Sequence, residues 1–277
     1  MAPQGYYEEL YQTNLTRLDE YVIDIMRKSG GYLREHAFDY GIIEWKKKDD
    51  PVTILDKNVE KHIRQELSLY TDKIGCVGEE FPASGEQYEL RAYIDPIDGT
   101  KSFVRGEFLS SISIGIEDGR FDGTGLFAGY VYDFMRDMLY MANYNCTKLL
   151  YGRENHNLPI YANPIFSRPT ISFDDGLEET AKHFQKDYSV RKQTGSIALA
   201  MAQLAAGGYD GLIMPPKTKS HSYDIAGGLP ILKGAGYLTL DAKLNELDWE
   251  KPINGMIFLK PSIADKFLKE WREYNGS

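Results

Sequence analysis

The hexapeptide Asp95-Pro96-Ile97-Asp98-Gly99-Thr100 constrains this chain more than any other stretch. Residues 92–94, just ahead of it, are apolar and read as the end of a buried strand. Pro96 has a fixed φ and no N–H for a ladder bond, so the strand is expected to stop there. Gly99 can take positive φ and lets another group approach the backbone. Thr100 opens a short helix. Asp95 and Asp98 therefore bracket one turn, and a helix start faces the same small volume. Carboxylates suit a hard divalent cation, and the free N–H groups of a helix start suit an anion. A metal-bridged phosphate satisfies both. Asp-Pro and Asp-Gly are also ordinary turn dipeptides, and by itself the stretch fits a capped, solvated turn as well.

Composition narrows the partners. The 277 residues are 42% hydrophobic, enough for a large core in one domain or two tightly joined ones. The net charge of −9 argues against general nucleic-acid or anionic-membrane binding, and an anionic substrate would need cations in the site. Cys76 and Cys146 lie far apart, so reduced thiols in the cytoplasm are expected. Residues 1–10 are polar and acidic, unlike a secretion signal. No apolar run approaches the ~18 residues of a membrane span.

In chain order, residues 6–36 carry Leu10, Leu15, Leu18, Val22, Ile25 and Met26 at helical steps. They form one or two helices, depending on whether Gly30-Gly31 breaks the run. Residues 40–45 read as a strand and 46–51 as a polar connection. A helix follows with Val59, Ile63 and Leu67 on one face and Asp56 capping its start. Residues 73–77 form a strand leading into Gly78-Glu79-Glu80, whose acids suit metal ligation or a plain charged loop; 83–89 is a polar loop. Strands at 111–116, 125–132, 138–142 and 147–151 make an antiparallel meander. Gly123-Thr124-Gly125-Leu126-Phe127-Ala128 fits a dinucleotide fingerprint by letter but leads into a strand, which excludes it. The Asn- and Pro-rich residues 152–170 read as loop and divide the chain into halves at 1–152 and 153–277. In the second half, strands at 171–173, 188–191, 211–214 and 256–259 alternate with helices at 177–184, 197–206, 225–235 and 263–271, an α/β pattern. Pro230 is expected to kink or break the third of these helices. Ser196, after Gly195, is an N-cap or a helix start facing an anion. Residues 215–222 read as a rigid basic loop with Lys217 and Lys219, followed by Asp224 at a helix start.

Together these segments resemble the inositol monophosphatase superfamily of magnesium-dependent, lithium-sensitive phosphatases, which also contains fructose-1,6-bisphosphatases and nucleotide 3′-phosphatases. The similarity spans residues 46–235. Asp50-Pro51-Val52-Thr53-Ile54-Leu55-Asp56 resembles the family segment ending in a metal-site aspartate. Gly78-Glu79-Glu80 and the 95–100 hexapeptide resemble its central motifs. Tyr223-Asp224-Ile225-Ala226-Gly227-Gly228 is similar to its late Trp-Asp-x-Ala-Gly motif, with Tyr for Trp. The resemblance implies an α+β protein, a layered α-β-α-β-α sandwich of the sugar phosphatase type with an antiparallel-sheet N-terminal half and an α/β C-terminal half. It also implies a homodimer or homotetramer acting on a small phosphorylated metabolite.

The resemblance further implies that Glu79, Asp95 and the Ile97 carbonyl hold one Mg²⁺, and that Asp95, Asp98 and Asp224 hold a second. A third would lean on Glu79 through water; Mn²⁺ would substitute and Li⁺ inhibit. Glu79 and Thr100 would orient and deprotonate the attacking water, with Asp56 supporting Thr100. The N–H groups of Gly99 and Thr100 would grip the phosphate, with Asp98, Gly195 and Ser196 near the leaving group. The five acids sum to −5, so two Mg²⁺ leave −1 and three give +1. A phosphate monoester is therefore expected to enter together with the third ion. In animal inositol monophosphatases an acid ahead of the late aspartate contacts a sugar hydroxyl. Lys217 and Lys219 fall near that position here and, with Arg191, are expected to favour a second phosphate, as in fructose 1,6-bisphosphate. Two alternatives remain: a 3′-phosphoadenosine 5′-phosphate phosphatase, and a regulatory binding protein that keeps the fold, which would have no use for all five acids and Thr100.

Overall fold

A computed structural model describes residues 4–39, 43–47, 50–85, 87–88, 90–119, 125–143, 146–151, 154–158, 168–251 and 253–276. The chain opens with α1 (Gln4–Glu35), a single helix. The Gly30-Gly31 pair does not break it. A Cβ at Gly30 would strike the Tyr132 ring, so this glycine serves close packing rather than a turn. β1 (Ile43–Lys47) and β2 (Asp50–Thr53) pair as an antiparallel hairpin, so strand takes up part of the stretch expected to be a polar connection. Residues 40–42, 48 and 49 of those expected segments lie outside the described residues. α2 (Ile54–Tyr70) follows and buries Leu55, Val59, Ile63 and Leu67, the expected stripe.

Next come β3 (Ile74–Gly78), β4 (Leu90–Asp98), α3 (Thr100–Val104), β5 (Ser111–Asp118), β6 (Leu126–Asp133), β7 (Met138–Asn143), β8 (Cys146–Tyr151) and β9 (Glu154–Asn157). These strands form one seven-stranded sheet in sequence order; β3 and β4 are parallel and every later pair is antiparallel. β9 falls within the stretch expected to be loop, where its polar residues give no alternation to read; residues 159–167 of that stretch are outside the described set. The fingerprint-like segment does run into β6, with residues 123 and 124 outside the described set.

The expectation for Pro96 is corrected. β4 does not stop there but continues to Asp98. Asp95 pairs with Ser113 and Asp98 with Ser111, so three steps on β4 oppose two on β5. The extra residue makes a bulge, where the ladder is already interrupted and the missing proline N–H costs little.

The second half comprises β10 (Thr170–Phe173), α4 (Glu178–Phe184), β11 (Ser189–Lys192), α5 (Ile197–Ala205), β12 (Gly211–Ser220), α6 (Ser222–Ala226), α7 (Gly228–Gly234), β13 (Leu238–Asp241), β14 (Ile253–Leu259) and α8 (Pro261–Asn275). Its sheet has the order β11-β10-β12-β14-β13; β10 is parallel to both neighbours, and β14 antiparallel to both of its own. The expected basic loop is strand as far as Ser220. β12 pairs with β14 on either side of an irregularity between Met214 and Lys219, which accommodates Pro215-Pro216. The expected helix over 225–235 begins earlier, at Ser222, and divides at Gly227 rather than at Pro230. Gly227 packs against Tyr130 O and Ser113, which leaves no room for a side chain. Pro230 sits in the first turn of α7, where its N–H has no intrahelical partner to lose. β13, with four residues, is too short to show a period in the sequence.

Three apolar clusters order the layers. Leu18, Val22, Ile25, Val59 and Ile63 of α1 and α2 pack on Ile94, Ile114 and Tyr130 of the larger sheet. α5, α6 and α7 lie between the two sheets, joining Val131 and Tyr140 to Leu212 and Phe258. Phe184, Phe267 and Trp271 of α4 and α8 cover the outer face of the smaller sheet. The result is the five-layered α-β-α-β-α sandwich of an α+β protein. α5 is apolar and buried except at Gln203, because both of its faces are covered. Among the described residues no helix is long and apolar enough to cross a membrane.

Candidate active site

Residues from both halves meet at the β4 bulge. Asp95 and Asp98 come from the bulge itself, both buried. Gly99 then takes φ 82° and ψ 37°, a left-handed conformation that turns β4 into α3. A Cβ on Gly99 would stand 2.7 Å from the Ser196 nitrogen, so glycine is also required for the second half to approach. Ser196 N donates to Leu109 O at 2.8 Å on the other side of this contact.

Asp56 enters from the start of α2. Its Oδ2 accepts from Thr53 N at 2.7 Å and Thr53 Oγ1 at 2.6 Å, closing a capping box. Its Oδ1 accepts from Thr100 Oγ1 at 2.9 Å. Asp56 is thus both the cap the sequence suggested and the partner of Thr100. Thr100 Oγ1 also reaches Ile97 O at 2.8 Å, and a hydroxyl with one proton donates to only one of the two at a time.

Asp98 is held from the second half. Its Oδ2 accepts from Ser196 Oγ at 2.6 Å and from Ala198 N at 2.7 Å. Ser196 is the N-cap of α5, accepting from Leu199 N at 2.8 Å, and its hydroxyl also contacts Ser111 Oγ at 2.8 Å. The anion at this helix start is therefore Asp98 itself. Asp224 sits in the first turn of α6 and accepts from His221 N at 2.6 Å. His221 is an exposed N-cap stacked on Tyr223, ring centroids 5.0 Å apart. Glu79 follows β3 directly.

Electrostatics shows that these acids share one neighbourhood. Burial, then the charges of Glu79, Asp98, Asp224 and Asp56, push the Asp95 carboxyl well above the usual carboxylate range. Burial raises Asp98 to about 7 against the pull of its Ser196 and Ala198 bonds, with the Glu79 charge adding to the rise. Burial raises Asp56 to about 6 despite its bonds from Thr53 and Thr100. The Tyr223 phenol is also raised, by burial and then by Asp224, Glu79 and Asp95.

Asp95 Oδ1 is buried and has no hydrogen-bond partner. A carboxylate oxygen shut off from water and protein donors alike is suited to a cation. The donor set, carboxylates plus the Ile97 carbonyl, is all oxygen and fits a hard divalent ion. Among the described residues no three acidic, histidine or cysteine side chains close on one point tightly enough to ligate an ion as they stand. Hydrogen bonds engage Oδ2 of Asp98 and Oδ2 of Asp224, the outer-shell support that ligating carboxylates commonly have.

The side chains of Lys217 and Lys219 lie outside the described residues. Arg191 is exposed on β11, its guanidinium 4.7 Å from the centroid of the Tyr209 ring. Thr53, Ser111 and Tyr223 also border the acids. Thr53-x-x-Asp56 is a readable cap, whereas nothing local marks Ser111.

A five-layered sandwich with an acid cluster where its halves meet defines a sandwich of the sugar phosphatase class. The Inositol monophosphatase family model matches residues 14–274. A fructose-1,6-bisphosphatase/inositol-1-monophosphatase of Aquifex aeolicus is 30% identical over 203 residues, covering 70% of this chain and 73% of that protein. An inositol-1-monophosphatase of Bacillus subtilis is 28% identical, covering 83% and 88%. A solved IMPase of Thermotoga maritima superposes with a TM-score of 0.77 at 26% identity, covering 93% of this chain and 97% of its own. The chain belongs to the inositol monophosphatase family, a family of metal-dependent phosphoric monoester hydrolases.

Proposed function

We propose that this protein is a Mg²⁺-dependent phosphatase that hydrolyses a small phosphate monoester, inositol monophosphate and/or fructose 1,6-bisphosphate, by attack of water. The observation that carries the reading is the buried acid cluster with the unpartnered Asp95 Oδ1 at its centre. Glu79, Asp95, Asp98, Asp224 and the Ile97 carbonyl would hold two to three ions. Bound there, the ions supply the positive charge that keeps the acids ionised, draws in the phosphate and acidifies water. Thr100 and Glu79 orient the attacking water and take up its proton. Donation from Thr100 Oγ1 to Asp56 leaves the hydroxyl lone pairs available for that task. Backbone N–H groups of Gly99 and Thr100 hold the phosphate, and Asp98 with Gly195 and Ser196 faces the leaving oxygen. Lys217 and Lys219 meet a second phosphate where the substrate has one, and the chain assembles as a homodimer or homotetramer.

Phosphate release from a panel of sugar, inositol and nucleotide phosphates, with Mg²⁺ and with or without Li⁺, tests the reading. Asp95→Asn is expected to abolish turnover; activity that survives it refutes the assignment. Lys217→Ala and Lys219→Ala are expected to raise KM for fructose 1,6-bisphosphate and to spare inositol monophosphate.

A further inference from the structure

The acid cluster leaves one charged pair of α2 unexplained. Glu60 is 0% exposed, and Arg64, one turn later, pairs with it at 2.8 Å. A buried ion pair is weak evidence for stability, since apolar residues of similar volume commonly serve as well. What this pair touches is specific. Glu60 Oε2 accepts from Glu80 N at 2.7 Å and Oε1 from Phe81 N at 3.3 Å. Arg64 donates to Phe81 O at 3.0 Å, Pro82 O at 3.2 Å and Ser84 Oγ at 3.2 Å. Ser84 in turn exchanges backbone bonds with Cys76 on β3, 2.9 Å each way. One side chain thus grips the N–H groups of the segment after Glu79, and the other grips its carbonyls. Before Glu79, Gly78 is fixed in the sheet opposite Ile94. A Cβ on Gly78 would overlap the Glu60 carboxylate, which accounts for the glycine of Gly-Glu-Glu.

Resting on the functional reading above, we propose that Glu60 and Arg64 are positioning residues that set Glu79 for catalysis. Asp56 lies one turn before Glu60 on the same helix and bonds Thr100. A single rigid element therefore fixes both groups assigned to the attacking water, Thr100 through Asp56 and Glu79 through Glu60 and Arg64. Displacement of α2 would move the two together.

The test compares wild type with Glu60→Gln, Arg64→Lys and Arg64→Ala in three measurements. These are amide exchange over residues 79–84, Mg²⁺ affinity by calorimetry, and kcat and KM at saturating Mg²⁺. Glu60→Gln and Arg64→Ala are expected to lose protection at Glu80 and Phe81 and to weaken Mg²⁺ binding about 10- to 100-fold, as loss of a supporting partner does. They are also expected to lower kcat about tenfold or more with little change in KM, and Arg64→Lys should recover part of each loss. Variants that lose amide protection yet keep Mg²⁺ affinity and kcat within about twofold of wild type would overturn the proposal, because a purely structural pair gives that result. If Glu60→Gln does not fold, the two Arg64 variants decide by the same criteria. A wild type that neither binds Mg²⁺ nor releases phosphate overturns the functional reading and this inference with it, an outcome distinct from active wild type matched by its variants.

Discussion

Removing divalent cations should reverse the pH dependence of stability at this cluster. Asp56 rises from 3.8 to about 6 and Asp98 from 3.8 to about 7, both mainly through burial. A carboxyl with a folded pKa above its unfolded value binds more protons in the folded state between those two values. Stability therefore falls as pH climbs through that window, here from about 4 to about 7, and the full penalty applies above it. At 1.36 kcal/mol per pKa unit, Asp56 alone contributes about 3 kcal/mol of destabilisation at pH 8. Against a typical total of 5–15 kcal/mol that is a large share, and it corresponds to a fall in Tm of about 6–12 °C. Between pH 5 and pH 8 about half of the Asp56 penalty, roughly 1.4 kcal/mol, is still to come, so calorimetric melting in EDTA at these two pH values is expected to show a fall of at least about 3–6 °C, with Asp98 adding to it. Mg²⁺ at pH 8 should recover it, because ions that bind only the folded state stabilise it. Asp19 and Asp133 are also raised by burial, but they lie outside the cluster, so their part of the slope should persist in Mg²⁺. Equal slopes in EDTA and in Mg²⁺, or an EDTA slope unchanged by Asp95→Asn, would refute the reasoning.

Two further substitutions separate the site from the scaffold. Gly99→Ala forces a side chain into a left-handed residue 2.7 Å from the Ser196 nitrogen, so urea titration should show a loss of more than the ~1–2 kcal/mol of the backbone term, together with loss of activity. Tyr130→Phe removes a hydroxyl that donates to buried Asp19, whose other oxygen accepts from Asn143 Nδ2 at 2.6 Å. It should cost about 1–3 kcal/mol in the same titration and leave kcat unchanged, since this pair is remote in function from the acids.

Much of the site was legible because its acids sit in short local patterns. The 95–100 hexapeptide and Gly78-Glu79-Glu80 each combine a turn residue with a carboxylate, Asp224 is an acid in the first turn of a helix, and each lies where an element ends or begins. Helix starts with caps were legible for the same reason, as at Asp56 and Ser196. Errors arose where a distant contact overrode a local preference. Gly30-Gly31 leaves a helix break open in the sequence, and packing on Tyr132 decides it in favour of one continuous helix. Pro96 reads as a strand end, yet pairing with β5 carries the strand through a bulge. Pro215-Pro216 reads as loop, yet β14 draws residues on both sides of the pair into the sheet.

The supporting shell shows the same limit more sharply. Ser111 meets Ser196 across 85 positions, and Asp98 meets Ala198 across 100. No window of sequence holds both partners, and a serine on a buried strand carries no mark of its task. Glu60 illustrates the point within one helix. Its position places it one turn after Asp56 on the buried side, where a charged residue breaks the apolar pattern. Its burial shows only in the fold, and its partner is the backbone of a turn 20 residues away. A chain can announce its ligands locally because each needs a particular chemical group at a turn. It cannot announce locally what holds them in place, because that role falls to whichever neighbour the layers bring alongside.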